Sequence, residues 1–198
     1  KLDANGQALS NIFDINQSDP RDVIVDAQGR ALVIGGNYST SGWIGRYLFN
    51  SNEPSYFTAD TNFNEDGSVL FNENFSSFTK VGLRSDASIV VIGQMNFDSD
   101  YCGYVIYDAN GDSILDSNLE LGNSFAVDLL IDSNDVIYIL LFTSEGYLQI
   151  WSSAVGYLDT DLPYDQYNNG SLAFDTAENI IVAVSNRNNG DLSFRKYD

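Results

Sequence analysis

Asp108, Asn110 and Asp112 place three oxygen donors at alternate positions of Asp108-Ala109-Asn110-Gly111-Asp112. The same alternation opens an EF-hand loop, whose first, third and fifth residues bind calcium through oxygen. Such a loop also needs Gly at its sixth position and Glu at its twelfth, where this chain has Ser113 and Leu119, with Glu120 one place late. The segment is therefore read as a hairpin turn. No metal site and no cofactor are assigned, and weak calcium binding is the most that the spacing supports. Asp98 with Asp100, and Asp159 with Asp161 and Asp165, are further acidic clusters in expected loops. A glycosidase holds two carboxylates about 5–10 Å apart across a sugar cleft. With 28 acids some pair meets that distance by accident, and the sequence marks none of them. The chain has no histidine, which excludes Ser-His-Asp and Cys-His triads and His-ligated zinc. Its one cysteine, Cys102, can form no internal disulfide and is expected to be a small buried hydrophobe. No catalytic residue is assigned, and the protein is read as a non-enzyme.

A formal charge of -19 and a pI near 4.1 limit the partners. Phosphate recognition relies on Lys and Arg, and the 9 present are scattered singly, so nucleic acid and anionic membrane are excluded as ligands. Acid spread along the whole chain reads as a solvated surface that resists association through self-repulsion. The longest apolar run, Val136 to Phe142, is strand-sized and far below the roughly 18 residues that cross a bilayer. The chain starts at Lys1, which predicts processing or excision from a longer protein; removal of a signal peptide would place it outside the cytoplasm. Sequons at Asn16, Asn37, Asn74 and Asn169 are compatible with export.

The elements that must position these residues recur. Val23 to Gly35, Val81 to Gly93, Leu129 to Leu141 and Leu172 to Val184 share one strand–turn–strand pattern. Their turns begin at Asp26, Arg84, Asp132 and Asp175, at intervals of 58, 48 and 43 residues. Self-similarity at this spacing, with strands in every unit, points to a propeller or solenoid. Each unit reads as four strands. The first alternates, and the second is apolar throughout: Ala31 to Ile34, Ile89 to Ile92, Val136 to Leu141 and Ile180 to Val184. A strand apolar on both faces must be covered on both sides. The third is rich in aromatics, as in Trp43 to Tyr47, Tyr104 to Tyr107, Tyr147 to Trp151 and Leu192 to Tyr197. The fourth is variable. Asp3-Ala4-Asn5-Gly6 repeats Asp108-Ala109-Asn110-Gly111, so the amino end is expected to supply the outer strand that the last unit lacks. Gln7 to Phe13 would then pair with Leu192 to Tyr197, closing a ring and removing a sheet edge.

The units resemble the bacterial β-propeller repeat known as the delta-sixty repeat. Asp26 to Gly35 (DAQGRALVIG) is similar to its opening, Arg46-Tyr47 to the end of its aromatic strand, and Asn62 to Gly67 to its closing turn. The chain departs from that pattern where the turn glycine is Ala87, Asp135 or Glu178, and where Ile106, Ile150 and Lys196 stand in place of Arg46. The resemblance implies an exported or cell-surface bacterial protein and carries no catalytic residues.

The expectation is an all-β, four-bladed β-propeller closed by pairing of its N- and C-terminal strands. It forms one domain, 1–198, with repeats near 14–70, 71–120, 121–163 and 164–198 plus 1–13. Its expected function is that of a non-catalytic extracellular or cell-surface scaffold acting by contact with a protein partner or with itself, as in a repeating surface assembly. A lectin-like, glycan-binding propeller is the second reading, and a carboxylate-dependent glycoside hydrolase the third. The long stretch Asn50 to Asp66 carries Tyr56, Phe57 and Phe63, which form the expected contact surface unless they pack beneath the first unit.

Overall fold

The computed structural model describes residues 19–36, 41–49, 57–71, 75–95, 101–115, 124–143, 147–163, 167–186 and 189–197. These form four antiparallel sheets, and no helix occurs among them. Sheet 1 contains β1 (Pro20–Val25), β2 (Ala31–Gly35), β3 (Gly42–Phe49), β4 (Phe57–Ala59) and β5 (Ser68–Phe71). Sheet 2 runs in order through β6 (Phe75–Leu83), β7 (Ile89–Met95), β8 (Tyr101–Tyr107) and β9 (Ser113–Leu115). Sheet 3 comprises β10 (Ser124–Ile131), β11 (Ile137–Thr143), β12 (Tyr147–Ser152) and β13 (Gly156–Pro163). Sheet 4 has β14 (Tyr167–Phe174), β15 (Ile180–Asn186) and β16 (Leu192–Tyr197). The expected first, second and third strands thus occur in each unit. Sheet 1 departs from the plan, because β3 pairs with β5 through residues 42–45 and with the additional strand β4 through residues 47–49. The expected pairing of Gln7 to Phe13 with β16 falls on residues 1–18, outside the described residues.

One turn geometry builds the units. Asp26 Oδ1 accepts the amides of Gln28 and Arg30, and Asp132 Oδ1 those of Asn134 and Val136. Asp175 Oδ1 likewise holds Ala177 and Asn179, and Asp108 Oδ1 holds Asn110 and Asp112 in the outer hairpin of sheet 2. The residue three places after the turn start is left-handed every time: Gly29 (φ 77°), Ala87 (66°), Gly111 (95°), Asp135 (64°) and Glu178 (62°). A type I turn followed by one left-handed residue matches the twist of a hairpin. Glycine is therefore dispensable at Ala87, Asp135 and Glu178, at a cost of about 1–2 kcal/mol of backbone strain per site. Asp135 offsets its share by accepting the amide and hydroxyl of Ser85, in sheet 2, at 2.7 and 2.6 Å.

The sheets stack in series. Ile24, Leu32, Ile34 and Ile44 of sheet 1 meet Phe78, Val81, Ile89 and Val91 of sheet 2. The opposite face of sheet 2, with Val90, Ile92, Tyr104 and Ile106, meets Leu129, Ile137, Ile139 and Trp151 of sheet 3. Leu140, Phe142, Leu148 and Ile150 then meet Leu172, Ile180, Val182 and Val184 of sheet 4. Thus alternate residues of β7 and β11 enter different cores, as their all-apolar sequences require. Gly82 allows the close approach of sheet 3, since a Cβ there would lie 2.8 Å from Ile131 Cδ1.

Polar groups register the stack along the first strands. Irregular pairing at Pro20/Asp22, Phe78/Lys80 and Ala126/Asp128 marks a bulge in β1, β6 and β10, each just before the residue four places ahead of the turn. A bulge twists a strand and re-aims the next side chain. Asp22 Oδ2 accepts the Val81 amide at 3.1 Å, from sheet 1 to sheet 2. The equivalent Asp128 reaches from sheet 3 to sheet 4, where Oδ2 accepts the Ser171 hydroxyl at 2.6 Å and the Leu172 amide at 2.7 Å. Lys80 Nζ approaches Asp128 Oδ1 at 3.6 Å.

Asp128 is buried, so Asp128→Ala leaves the Leu172 amide without its acceptor and is expected to cost about 1–3 kcal/mol by urea titration. Ala87→Gly and Glu178→Gly are expected to gain up to about 1 kcal/mol each by relieving left-handed strain, part of which the greater freedom of the unfolded chain cancels. Asp135→Gly should gain nothing, because it also removes the bonds to Ser85.

Candidate functional site

Of the three expected contact residues, the structure separates two and leaves the third undescribed. Tyr56 lies outside the described residues. Phe57 is half-buried at the start of β4, edge-on to Phe49 with ring centroids 4.5 Å apart. Phe49 is itself 42% exposed and Leu48 beside it is also exposed, so β3 and β4 carry an apolar, aromatic edge beyond the part of β3 paired with β5. Phe63 is a correction. It is fully buried in the core between sheets 1 and 2 and offers no surface for contact.

The reason is an ion pair that the sequence did not connect. Arg46 Nε donates to Asp60 Oδ2 at 2.7 Å, and both side chains are almost wholly buried. The guanidinium carbon sits 4.8 Å from the centre of the Phe63 ring, and Nη1 donates to the Ala109 carbonyl of sheet 2. The Asn64 amide also donates across, to the Asn110 carbonyl at 2.8 Å. The closing turn of sheet 1 is thereby fastened over the outer hairpin of sheet 2, with Phe63 underneath. Arg46-Tyr47 signalled this position through the family pattern, but nothing in the spacing linked Arg46 to Asp60, 14 residues later.

The calcium candidate is accounted for by the turn itself. Asp108 Oδ1 is directed at the amides of Asn110 and Asp112, as in the turns at Asp26, Asp132 and Asp175. Asp112 is exposed and Asp108 partly so. No group of three or more His, Cys, Asp or Glu side chains that could hold a metal occurs among the described residues. The side chains of Asp98, Asp100, Asp159, Asp161 and Asp165 lie outside them. Cys102 is fully buried between sheets 2 and 3, with Sγ 3.3 Å from Ser124 Oγ. Burial pushes its thiol up to about 11, so it is not a nucleophile near neutral pH.

An aromatic group also lies between sheets 2 and 3. Tyr104 and Trp151 are tilted against each other at 5.5 Å, and Tyr157, paired with Trp151 across β12 and β13, is 51% exposed. No helix among the described residues is long and apolar enough to cross a membrane.

No family model matches the chain, and no curated protein does. Among solved structures it is similar to the extracellular domain of BT4673 from B. thetaiotaomicron, described in one structure as part of a one component system and in another as part of a hybrid two component system. Identity is 14% in both, with TM-scores of 0.41 and 0.38. Each match covers 94% of this chain, which spans about a third (34%) of the length of those structures.

Arg46→Ala removes the nearest cation from the buried Asp60 carboxylate but leaves Arg30 Nη1 at 3.5 Å and the Asn62 donors, so about 1–3 kcal/mol of stability is expected to be lost in urea titrations. A pH dependence follows from the turns. Hydrogen bonds from the Asn179 side chain and Lys196 hold Asp175 well below the usual carboxylate range, and the Ser85 hydroxyl and amide lower Asp135. For Asp60 burial acts upward, but the Asn62 amide and Arg46 outweigh it; for Asp108 the amides of Asp112 and Asn110 outweigh burial. All are lowered on folding. Their contribution is therefore complete above the unfolded value of about 3.9 and is lost as pH falls through the lower folded values. With no histidine, the melting temperature should be flat between about pH 5 and 8 and fall below about pH 4. Calorimetry should find a shallower acid slope in Asp175→Asn.

Proposed function

We propose that the four sheets are consecutive blades of a β-propeller and that the protein is a non-catalytic interaction module working outside the cytoplasm. The blade reading draws on the serial stacking of sheets with one strand order, one turn geometry and one inter-sheet register. The contact reading is carried by one observation: the edge at exposed Leu48 and Phe49 and half-buried Phe57, built by the strand that breaks the repeat plan of sheet 1. An element added to a repeat and bearing aromatic residues at the surface suits recognition of an apolar patch on a protein partner. The carboxylates of Asp26, Asp108, Asp128, Asp132 and Asp175 serve backbone amides and neighbouring sheets, a structural use of acid rather than a catalytic one. The extracellular assignment rests on the family resemblance.

Replacing Phe49 and Phe57 together with Ser should leave the melting temperature within a few degrees of the parent, because a contact edge contributes little to the core. A cooperative loss of structure would return these residues to a packing role. Purified protein should turn over no chromogenic glycoside or ester. Glycan binding is a second reading, favoured by the exposed ring of Tyr157 beside Trp151 and Tyr104. Binding on a glycan array that disappears in Tyr157→Ala would establish it over the first.

A further inference from the structure

Antiparallel strands reverse at each connection, so the turn after a first strand and the hairpin after a third strand lie at the same end of their sheet. Contacts between sheets bring these ends together. The Asn64 amide of sheet 1 reaches the Asn110 carbonyl of sheet 2, Ser85 of sheet 2 meets Asp135 of sheet 3, and the charge of Glu178 in sheet 4 acts on Tyr138 in sheet 3. The shared end is acidic, with Glu65, Asp66, Asp86, Asp112 and Glu178 exposed on its turns. Its described cations are already engaged. Arg30 pairs with Asp26, Arg46 with Asp60 and Lys196 with Asp175, while Arg84 lies in the fields of Asp86 and Asp135. The apolar edge of sheet 1 stands on this same end. Tyr47 pairs with Ala31, the first residue of β2, so Leu48 and Phe49 run past β2 with β4 as their neighbour. Phe49 lies opposite Phe57 on one side of this two-stranded ribbon, and Leu48 lies opposite Thr58 on the other. Both sides therefore present apolar surface. Residues 50–56, which join the two strands, include Glu53 and no Lys or Arg.

We infer that this edge takes a cationic segment of a protein partner, one in which an apolar or aromatic side chain is flanked by Lys or Arg. The inference rests on the contact reading above and names the chemistry of the partner. Charge complementarity selects this occupant. A second copy of the chain would bring a further charge of -19, and an acidic segment would meet like charge at every turn of this end. A neutral apolar segment would cover Leu48 and Phe49 but leave the surrounding carboxylates unmatched. A cationic segment satisfies both features. Its apolar side chain covers the ribbon, and its cations face the exposed carboxylates of the turns, beginning with Glu65 and Asp66 in the same sheet. Charge then governs capture and its salt dependence, while burial against Phe49 and Leu48 governs the residence time.

Three synthetic peptides of equal length test this by fluorescence anisotropy with the full chain: Lys with interspersed Phe, Lys with Gly in place of Phe, and Glu with interspersed Phe. The Lys–Phe peptide is expected to bind, and to bind about tenfold more weakly or worse when NaCl rises from about 0.05 to 0.5 M. The Lys–Gly peptide should lose about tenfold in affinity, and so should the Lys–Phe peptide with Phe49→Ser, a variant expected to keep the parent circular dichroism. The Glu–Phe peptide should not bind. Glu65→Gln combined with Asp66→Asn should weaken binding of the Lys–Phe peptide and flatten its salt dependence. No binding of that peptide, or binding that Phe49→Ser leaves unchanged, overturns the inference. Equal binding of the Lys–Phe and Glu–Phe peptides, both lost in Phe49→Ser, overturns the cationic partner and leaves the contact reading standing. The contact reading has its own control in Phe49→Cys. Cys102 is buried and its thiol is pushed up to about 11, so a neutral maleimide should label the introduced thiol alone in the native protein. A thiol at position 49 that resists labelling would show the edge to be covered and remove that reading.

Discussion

The structure depends on the second strand of each unit being apolar on both faces. Such a strand cannot sit in a two-layer protein with one face to water without leaving a row of aliphatic side chains in solvent. At roughly 25 cal/mol per Å² of apolar surface, that exposure outweighs any single hydrogen bond in the molecule. Both faces must be covered, and among the described residues the apolar surfaces of neighbouring units cover them. β7 shows the result, with Ile89 and Val91 turned toward sheet 1 and Val90 and Ile92 toward sheet 3. Stacking in series follows from that demand.

Hydrophobic covering alone sets no angle or register between sheets, and the polar groups supply these. A bulge ahead of Asp22 and Asp128 turns each carboxylate across the gap to an amide of the next sheet, where water cannot compete for it. Between sheets 1 and 2 the outer half of the gap is held by Arg46, Asp60 and the Ala109 carbonyl over the Phe63 ring. Sheets 2 and 3 use the Tyr104 and Trp151 rings of their third strands, together with the contact of Asp135 with Ser85 at the turns after their first strands. One repeat therefore tolerates different side chains, provided that each gap is filled and its buried polar atoms are partnered.

Several aspartates of this acidic chain have local structural tasks. Aspartate begins a turn because its carboxylate accepts two amides of the tight loop, a local structural task. At Asp108 and Asp175 that use stabilises the ionised form. Exposed apolar side chains lie at Leu48 and Phe49 beside Phe57, and at Val23, Val25, Leu192 and Phe194 of sheets 1 and 4.

The sequence by itself determined the local elements. The apolar runs placed β2, β7, β11 and β15, the aromatic runs placed β3, β8, β12 and β16, and short stretches of Asp, Asn, Ser, Ala or Gly marked the turns, because hydrophobic period and turn chemistry act over a few residues. Burial of Cys102 and the hairpin nature of Asp108 to Asp112 were legible for the same reason. Tertiary structure decided what depended on residues far apart in the chain. Phe63 looked like a surface aromatic in a long polar segment, yet the Arg46–Asp60 pair and the hairpin of sheet 2 close over it. Phe49, unremarkable at the end of a strand, became exposed because β4 pairs there and extends the sheet beyond β5. The left-handed conformations of Ala87, Asp135 and Glu178 were set by hairpin twist against side-chain preference. Which faces are covered is likewise a property of the stack: Val23 and Val81 have the same residue type at the same register, and only the neighbouring sheet makes one buried and the other open.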